Sequence, residues 1–99
     1  MLKLPLRVFK VRGNSLSPTY QDGDYVLCVA WGSPAIGQAV VFKQPGYGQL
    51  IKRIERIEAD GTLTVLGDHA DSVDSRTFGS IDPASVRGRV VWHISKGKS

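Results

Sequence analysis

The chain has 99 residues and a mass of 10.8 kDa, which is the size of one small domain and excludes a separate cofactor-binding domain. Hydrophobic residues make up 41% and charged residues 22%, so the composition is that of a folded globular protein rather than a disordered one. The net charge of +4 comes from Lys and Arg residues spread along the chain without interleaved aromatic residues, so we expect no nucleic-acid partner.

The first half of the chain is predicted to form strands separated by turns. Leu6–Val11 and Tyr25–Ala30 are rich in β-branched and aromatic residues, and the Gln-Asp-Gly-Asp sequence at 21–24 predicts a turn before the second strand. Ala39–Lys43 is a third, shorter β-rich run. Pro45–Gly48 predicts the turn that follows it.

Cys28, in the second predicted strand, is the only cysteine, so an intramolecular disulfide is excluded. Since His69 and His93 are the only histidines, the sequence predicts no metal site, and we expect Cys28 to pack as a small core residue. No apolar run approaches the roughly 20 residues that span a bilayer, and residues 1–11 lack the apolar segment of a secretory signal. We therefore expect a cytoplasmic chain without metal, cofactor or membrane anchor, for which peripheral membrane contact stays open.

Leu50–Glu58 is the one ambiguous segment. Its isoleucines recur every three residues, which favours a helix. Its position just ahead of the Asp60–Gly61 turn and a further β-rich run favours a strand. On a strand, Lys52 and Ile54 would point to the same face.

The remaining strands are predicted at Thr62–Leu66 and Val86–Ile94. Strand candidates separated by short turns thus recur along the whole chain without an internal repeat. This pattern predicts a mainly β fold, a single small coiled domain with mostly antiparallel pairing.

Three motifs contain residue types suited to chemistry. Residues 13–19 read Gly-Asn-Ser-Leu-Ser-Pro-Thr, residues 37–42 read Gly-Gln-Ala-Val-Val-Phe and lead to Ile-Lys-Arg at 51–53, and residues 67–79 read Gly-Asp-His-Ala-Asp-Ser-Val-Asp-Ser-Arg-Thr-Phe-Gly. In this order and spacing they resemble the conserved boxes of the signal peptidase I-like serine/lysine peptidases, from about residue 11 to residue 91. The third motif is the most specific. The resemblance implies a fold of the signal peptidase catalytic-core type, and we predict that Lys52 lies on a strand.

The resemblance implies that Ser15 is the nucleophile and Lys52 the general base. A serine hydroxyl is a poor nucleophile unless a base takes its proton, and a lysine can do so only when neutral. Lowering the lysine pKa from about 10.4 toward 7 costs roughly 4–5 kcal/mol, which burial against apolar groups can supply. The candidates for those apolar groups are Ile51, Ile54 and Val41. Without the motifs, the same two residues would be an ordinary turn serine and a solvated cation.

The third motif supplies the supporting residues that the resemblance implies. Ser72 matches the family's serine that hydrogen-bonds the lysine and orients its amine. Asp74 and Arg76 match a pair that holds this loop together, and Ser75 between them is expected only to pack.

An oxyanion forms when a serine attacks a carbonyl, and the backbone N–H of Ser15 is the donor expected to bind it. Some relatives add a hydroxyl two residues earlier, where this chain has Gly13, so a second donor is not identified. Leu16 stands where the family usually has Met.

The alternative to the serine/lysine dyad is a Ser-His-Asp triad of Ser15, His69 and Asp74. The Gly-x-Ser-x-Gly elbow that often carries such a serine is absent, because position 17 is Ser.

These residues predict a serine endopeptidase that removes an N-terminal leader or propeptide by limited proteolysis. We expect residues 1–99 to be a single minimal catalytic domain without a large insertion, because only residues 53–66 separate Lys52 from the third motif. The sequence at 72–79 and the Gly-Arg-Val-Val at 88–91 are similar to the small peptidases that trim the leader of nickel-type superoxide dismutase. The resemblance implies a partner bound as an extended peptide with small side chains near the cut.

Two other functions stay open. One is a compact signal peptidase that acts on exported proteins. The other is a non-catalytic relative that holds an extended peptide by strand addition. A self-cleaving repressor is disfavoured, because such proteins have a DNA-binding domain ahead of the peptidase and only twelve residues precede Gly13.

Overall fold

A computed structural model describes residues 6–13, 15–30, 32–69 and 72–95. Within them the chain forms six strands, which are β1 (Leu6–Lys10), β2 (Tyr25–Val29), β3 (Ala39–Gln44), β4 (Gly48–Ile57), β5 (Leu63–Leu66) and β6 (Val86–Ile94). One helical turn, α1 (Ser75–Phe78), and one 3₁₀ turn (Pro83–Ser85) lie between β5 and β6. No helix in these ranges has the length and apolar character needed to cross a membrane.

The strands pair into one sheet in the order β1-β2-β6-β3-β4-β5, and every pairing is antiparallel. Tight turns close the β3–β4 and β4–β5 hairpins, where the Tyr47 and Gly61 N–H groups donate to the carbonyls of Gln44 and Glu58 at 3.0 and 2.9 Å. β6 inserts between β2 and β3 and so joins the two halves of the chain. The predicted mainly β, antiparallel fold is confirmed.

β4 resolves the ambiguous segment as a strand. Ile51 belongs to the core on one face of the sheet, Ile54 belongs to the core on the other face, and Ile57 is exposed. The three-residue spacing therefore does not gather the isoleucines on a common face, because side chains alternate along a strand. A register shift against β5 between Ile54 and Arg56 interrupts the alternation there.

The sheet buries a small core on each face. β3 lies in the interior of the sheet, and its residues 39–42 are buried on both sides. One core cluster contains Val11, Leu16, Val26, Cys28, Ala39, Val41, Ile51 and Val90. The other contains Val40, Phe42, Ile54, Leu63, Val65 and Ile81, with Phe78 of α1 packed against it.

Cys28 packs in the first cluster, as predicted. Its side chain is fully buried, and burial raises the pKa of its thiol to about 11, so it is protonated at neutral pH. Gly88 on β6 permits this packing, because a Cβ at that position would lie 2.7 Å from the Cys28 Cβ.

Candidate active site

Lys52 lies in the middle of β4 with its side chain buried, only 4% exposed. Its neighbour on β3 is Val40, and the β4–β5 register, continued one residue past Leu66, brings Gly67 opposite it. Ile54 shares its face of the strand, as the strand alternation predicted.

The three apolar residues proposed to surround Lys52 are divided between the two core clusters. Ile54 belongs to the core cluster on the same face, together with Val40. Ile51 and Val41 belong to the cluster on the opposite face, because they occupy the alternate positions of β4 and β3. All the same, Ile51 and Val41 line the cleft that Lys52 also lines.

Burial has the expected effect on the lysine. Desolvation of the charged form lowers the pKa of Lys52, the nearby Asp74 carboxylate opposes this shift, and the Arg76 guanidinium adds to it. Desolvation outweighs the attraction to the carboxylate. The site therefore favours neutral Lys52 more than water does.

Ser15 begins a turn in the segment between β1 and β2. Its hydroxyl donates to the Ile51 carbonyl at 3.3 Å, which places Oγ beside the residue that precedes Lys52. Its own carbonyl accepts a hydrogen bond from the Asp68 N–H. One hydrogen bond to β4 and one from the loop after β5 therefore fix the position of Ser15.

Ser15 and Lys52 line a common cleft of about 460 Å³. One wall is the end of β1 and the residues after it, and the other is the first half of β4. The lining residues are Phe9, Lys10, Val11, Arg12, Gly13, Ser15, Val26, Val41, Tyr47, Gln49, Leu50, Ile51 and Lys52. The first and second motifs thus meet in one concave site, although 36 positions separate Ser15 from Ile51.

Ser72 lies close to the same corner, against Gly67. A Cβ on Gly67 would lie 2.3 Å from Ser72 Oγ and 3.1 Å from the Ser15 carbonyl oxygen, so a glycine is required where these two serines converge. Among the described residues, neither the Ser15 nor the Ser72 hydroxyl is hydrogen bonded to Lys52. Active-site hydrogen bonds are often long or unformed until substrate binds, so this geometry leaves both roles as predictions.

Asp74 and Arg76 form the pair that the third motif predicts. The Asp74 carboxylate is fully buried and accepts from the Arg76 guanidinium at 2.6 and 3.0 Å, from the Arg76 N–H at 3.0 Å and from the Gly67 N–H at 2.8 Å. Burial by itself raises the pKa of Asp74, but the hydrogen bonds from Arg76 and Gly67 outweigh it and hold that pKa below its ordinary value. Arg76 also donates to the His69 carbonyl at 2.9 Å, which draws the two ends of the loop together.

Three residues of the motifs have contacts that the sequence did not predict. Ser75 was expected only to pack, yet its hydroxyl accepts from the Val65 N–H at 2.9 Å and so ties α1 to β5. Arg53 and Asp68 form an ion pair at 3.0 Å. The sequence signal for this pair is that two residues of opposite charge lie in the motifs that contain the catalytic candidates. The fold is what brings the second and third motifs together.

The alternative triad receives no support from these contacts. Both oxygens of Asp74 accept hydrogen bonds from Arg76 and from backbone N–H groups. In the described part of the chain, no hydrogen bond joins the His69 ring to Asp74 or Ser15. His69 takes part through its backbone carbonyl instead.

The expected oxyanion donor and the glycine two residues before it can be placed in part. Gly13 has φ +81°, a backbone conformation that glycine adopts readily and a serine does not, which accounts for the missing hydroxyl. Asn14 lies outside the described residues, and the backbone N–H of Ser15 stays the predicted donor. No group of three or more His, Cys, Asp or Glu side chains in the described ranges could hold a metal ion.

Comparison with known proteins places the chain in a peptidase family. Residues 3–91 match the family described as Peptidase S24-like, which covers most of the chain. No curated protein matches it. The family match supports the peptidase resemblance of the three motifs but does not reach the narrower likeness to the nickel-type maturation peptidases. The cleft, its buried lysine and the family match lead to one assignment: the chain belongs to the Peptidase S24-like family.

Proposed function

We propose that this protein is a serine endopeptidase in which Ser15 is the nucleophile and Lys52 the general base, and that it removes an N-terminal leader or propeptide by limited proteolysis. The observation that carries the proposal is the burial of Lys52, 4% exposed, in the cleft that Ser15 lines. A lysine ordinarily keeps its ammonium group in water, because burying that charge is costly.

The proposed reaction uses two proton transfers in its first half. Neutral Lys52 takes the proton of the Ser15 hydroxyl as Oγ attacks the carbonyl carbon of the scissile bond. The backbone N–H of Ser15 donates to the oxyanion that forms. The protonated Lys52 then gives its proton to the leaving amine, and an acyl-serine ester remains.

The second half repeats the sequence with water. Lys52 takes a proton from a water molecule, the resulting hydroxide attacks the ester carbonyl, and the proton returns to Ser15 as the new carboxyl terminus leaves. Ser72 is proposed to orient the Lys52 amine, and Asp74 with Arg76 is proposed to hold the loop that supplies Ser72. The enzyme ends the cycle unchanged.

The substrate is proposed to bind as an extended strand along the cleft wall formed by Phe9–Gly13. β1 is the last strand at its end of the sheet, so one of its edges pairs with no strand in the described residues. Such an edge can accept a peptide by main-chain hydrogen bonds, which recognise an extended leader. From the likeness at 72–79 and 88–91, the leader of a nickel-type superoxide dismutase is the proposed substrate.

The test is cleavage of a leader-bearing nickel-type superoxide dismutase precursor, followed by intact-mass spectrometry. We expect one cut in the wild-type reaction and none with Ser15→Ala, Lys52→Ala or Lys52→Arg, since a guanidinium stays protonated. Ser17→Ala in the same turn and Lys43→Ala on β3 are the matched controls and should cleave normally. Cleavage by Ser15→Ala at the wild-type rate would refute the dyad.

A further substrate arm separates the open alternatives. If the wild type cuts the precursor of an exported protein and not the dismutase precursor, the compact signal peptidase is correct. If the wild type binds a leader peptide without cutting it, and Ser15→Ala binds equally well, the protein is a peptide-binding relative and the proposed function is wrong.

A further inference from the structure

We propose that the substrate of this cleft carries an acidic side chain, Asp or Glu, within about four residues of the cut, and that Arg12 with Lys10 recognises it. The inference rests on the proposed function, because it names the substrate class of the same site. It goes beyond that function, since an extended backbone with small side chains near the cut carries no charge of its own.

The charge of the cleft is one-sided. Lys10, Arg12 and Lys52 are among the residues that line it, and none of the described Asp and Glu residues is. Desolvation lowers the pKa of Lys52 and favours its neutral form, which leaves Lys10 and Arg12 as the charged side chains of the cleft. The other lining residues are apolar or neutral. A peptide that enters the cleft therefore meets positive charge with no carboxylate beside it to compensate.

Lys10 and Arg12 are free to bind a ligand. Both are exposed, and within the described ranges neither side chain forms a hydrogen bond or an ion pair. Other arginines of the chain are already bound, since Arg53, Arg56 and Arg76 each pair with a carboxylate of the protein. A carboxylate of the substrate can therefore bind Arg12 without displacing an internal partner.

The backbone that carries Arg12 is held on both sides. The Val11 N–H donates to the Asp24 carbonyl at 2.7 Å, and the Gly13 N–H donates to the Asp22 carboxylate at 2.8 Å. Asp22 is not a lining residue, and in the described part of the chain it forms no ion pair with Arg12. Only the arginine side chain has to become ordered when a ligand binds, and its planar guanidinium suits a carboxylate held by two parallel hydrogen bonds.

The position of Arg12 places the acidic side chain close to the cut. Arg12 lies three residues before Ser15, on the cleft wall Phe9–Gly13 that is proposed to pair with the substrate backbone. An extended strand advances about 3.3 Å per residue, so a peptide whose scissile carbonyl lies at Ser15 passes Arg12 within about four residues of the cut. The end of the leader or the start of the processed protein would carry the acidic side chain, and a basic side chain at that place would be repelled.

The first experiment measures kcat and KM for peptides that share one cleavable sequence and carry Glu, Gln or Lys at a single position, scanned over the four residues on each side of the cut. At the recognised position we expect KM to be about two- to fivefold lower for Glu than for Gln, and higher for Lys by a similar factor. The kcat values should differ little, because the contact is the same in the ground state and the transition state. Charge reversal by Arg12→Glu should invert the order, so that the Lys peptide is preferred. Equal kcat/KM for the three peptides at every position would overturn the inference and leave the proposed dyad intact.

The chain offers matched controls for both cations. Arg12→Gln should remove most of the preference for Glu, and Lys10→Gln should remove part of it. Arg87→Gln on β6 and Lys43→Gln on β3 change exposed cations outside the lining residues and should keep the full preference. All four variants should melt within about 3 °C of wild type, because exposed side chains contribute little to stability. An equal loss of preference in Arg87→Gln and Arg12→Gln would show that net charge, and not this cleft, selects the substrate.

A second measurement does not depend on catalysis. The same peptides, each with one fluorescent label, are titrated with the Ser15→Ala protein, and anisotropy gives their Kd values. We expect the Glu peptide to bind about two- to fivefold more tightly than the Gln peptide at low salt, and the difference to shrink at about 0.5 M salt. If the wild type cuts no peptide, the proposed function fails, while a Glu preference that Arg12→Glu inverts still supports the recognition. Equal binding of the three peptides overturns the recognition whether or not the enzyme is active.

Discussion

Lys52 on β4 and Asp74 in the loop before α1 are two buried charged groups at neighbouring points of the site, and the fold treats them in opposite ways. The Asp74 carboxylate accepts four hydrogen bonds from Arg76 and Gly67, which hold its pKa below the ordinary value and keep it charged. The Lys52 pKa is also lowered, but by desolvation, so here the shift favours the neutral form. The comparison shows how one small domain can stabilise the charged form of one buried group and disfavour the charged form of another.

The largest expected effect comes from removing the amine of Lys52. Lys52→Met keeps most of the apolar stem, so cleavage of the leader substrate should fall between about 10²- and 10⁴-fold while the fold is retained. The free energy of unfolding at neutral pH should rise by about 1 kcal/mol, because the buried ammonium is removed. Kinetic assays and urea unfolding measure the two quantities.

The matched control for this variant is Lys43→Met, which changes an exposed lysine on the neighbouring strand. Both its rate and its stability should stay close to wild type. A Lys52→Met protein that unfolds more easily than wild type would show that the lysine stabilises the fold and would remove the contrast with Asp74.

Asp74→Asn tests the other side of the comparison. Asparagine keeps the size of the side chain but cannot accept all the hydrogen bonds or balance the Arg76 charge. We expect the free energy of unfolding to fall by about 2–4 kcal/mol, with a loss of activity as the loop loosens. Thermal unfolding monitored by circular dichroism measures it.

An exposed carboxylate provides the reference for Asp74→Asn. Asp82 accepts one hydrogen bond from the Ala84 N–H at 2.9 Å at the start of the 3₁₀ turn, so Asp82→Asn should cost no more than about 1 kcal/mol. Equal losses for the two variants would mean that burial and the Arg76 pair add nothing to Asp74.

Ser72→Ala is expected to change the rate without changing the fold. The loss of the hydroxyl proposed to orient the Lys52 amine should lower kcat about tenfold or more, and stability should stay within about 1 kcal/mol of wild type. Ser80→Ala, an exposed serine beyond α1, is the control. If Ser72→Ala matches wild type at every pH, Ser72 does not orient the lysine.

The smallest effects appear as pH dependence, and the two groups give different signatures. If Lys52 is the base, kcat/KM should rise with pH through the lowered pKa of Lys52, well below that of a free lysine. Its effect on stability has the same sign, because the unfolded chain holds the lysine proton to higher pH, so stability rises between the two pKa values.

Asp74 acts at the acid end of the same profile. Because its folded pKa is lowered, its contribution to stability is complete above about pH 4 and is lost as the pH falls toward the folded value. Asp74→Asn should therefore flatten the acid limb of stability without moving the alkaline limb. A flat kcat/KM profile up to about pH 10 in the wild type would contradict the role of Lys52.

The sequence by itself determined the class of fold and the positions of the candidate site residues along the chain. β-branched runs bounded by glycine turns predicted the strands. β6 spans the predicted Val86–Ile94, because the strand begins and ends where the β-rich run begins and ends in the sequence. The order and spacing of the three motifs point to Ser15, Lys52 and Asp74 as candidate site residues.

Only the tertiary structure decided which neighbours these residues have. It placed Ile51 and Val41 on the opposite face from Lys52, because one residue of strand register reverses the direction of a side chain. It also paired Arg53 with Asp68, which are 15 positions apart and meet because β4 and β5 form a hairpin. The lowered pKa of Lys52 is likewise a property of the fold. The loss of water around a side chain depends on residues that are distant in the sequence, so a local sequence pattern does not predict it.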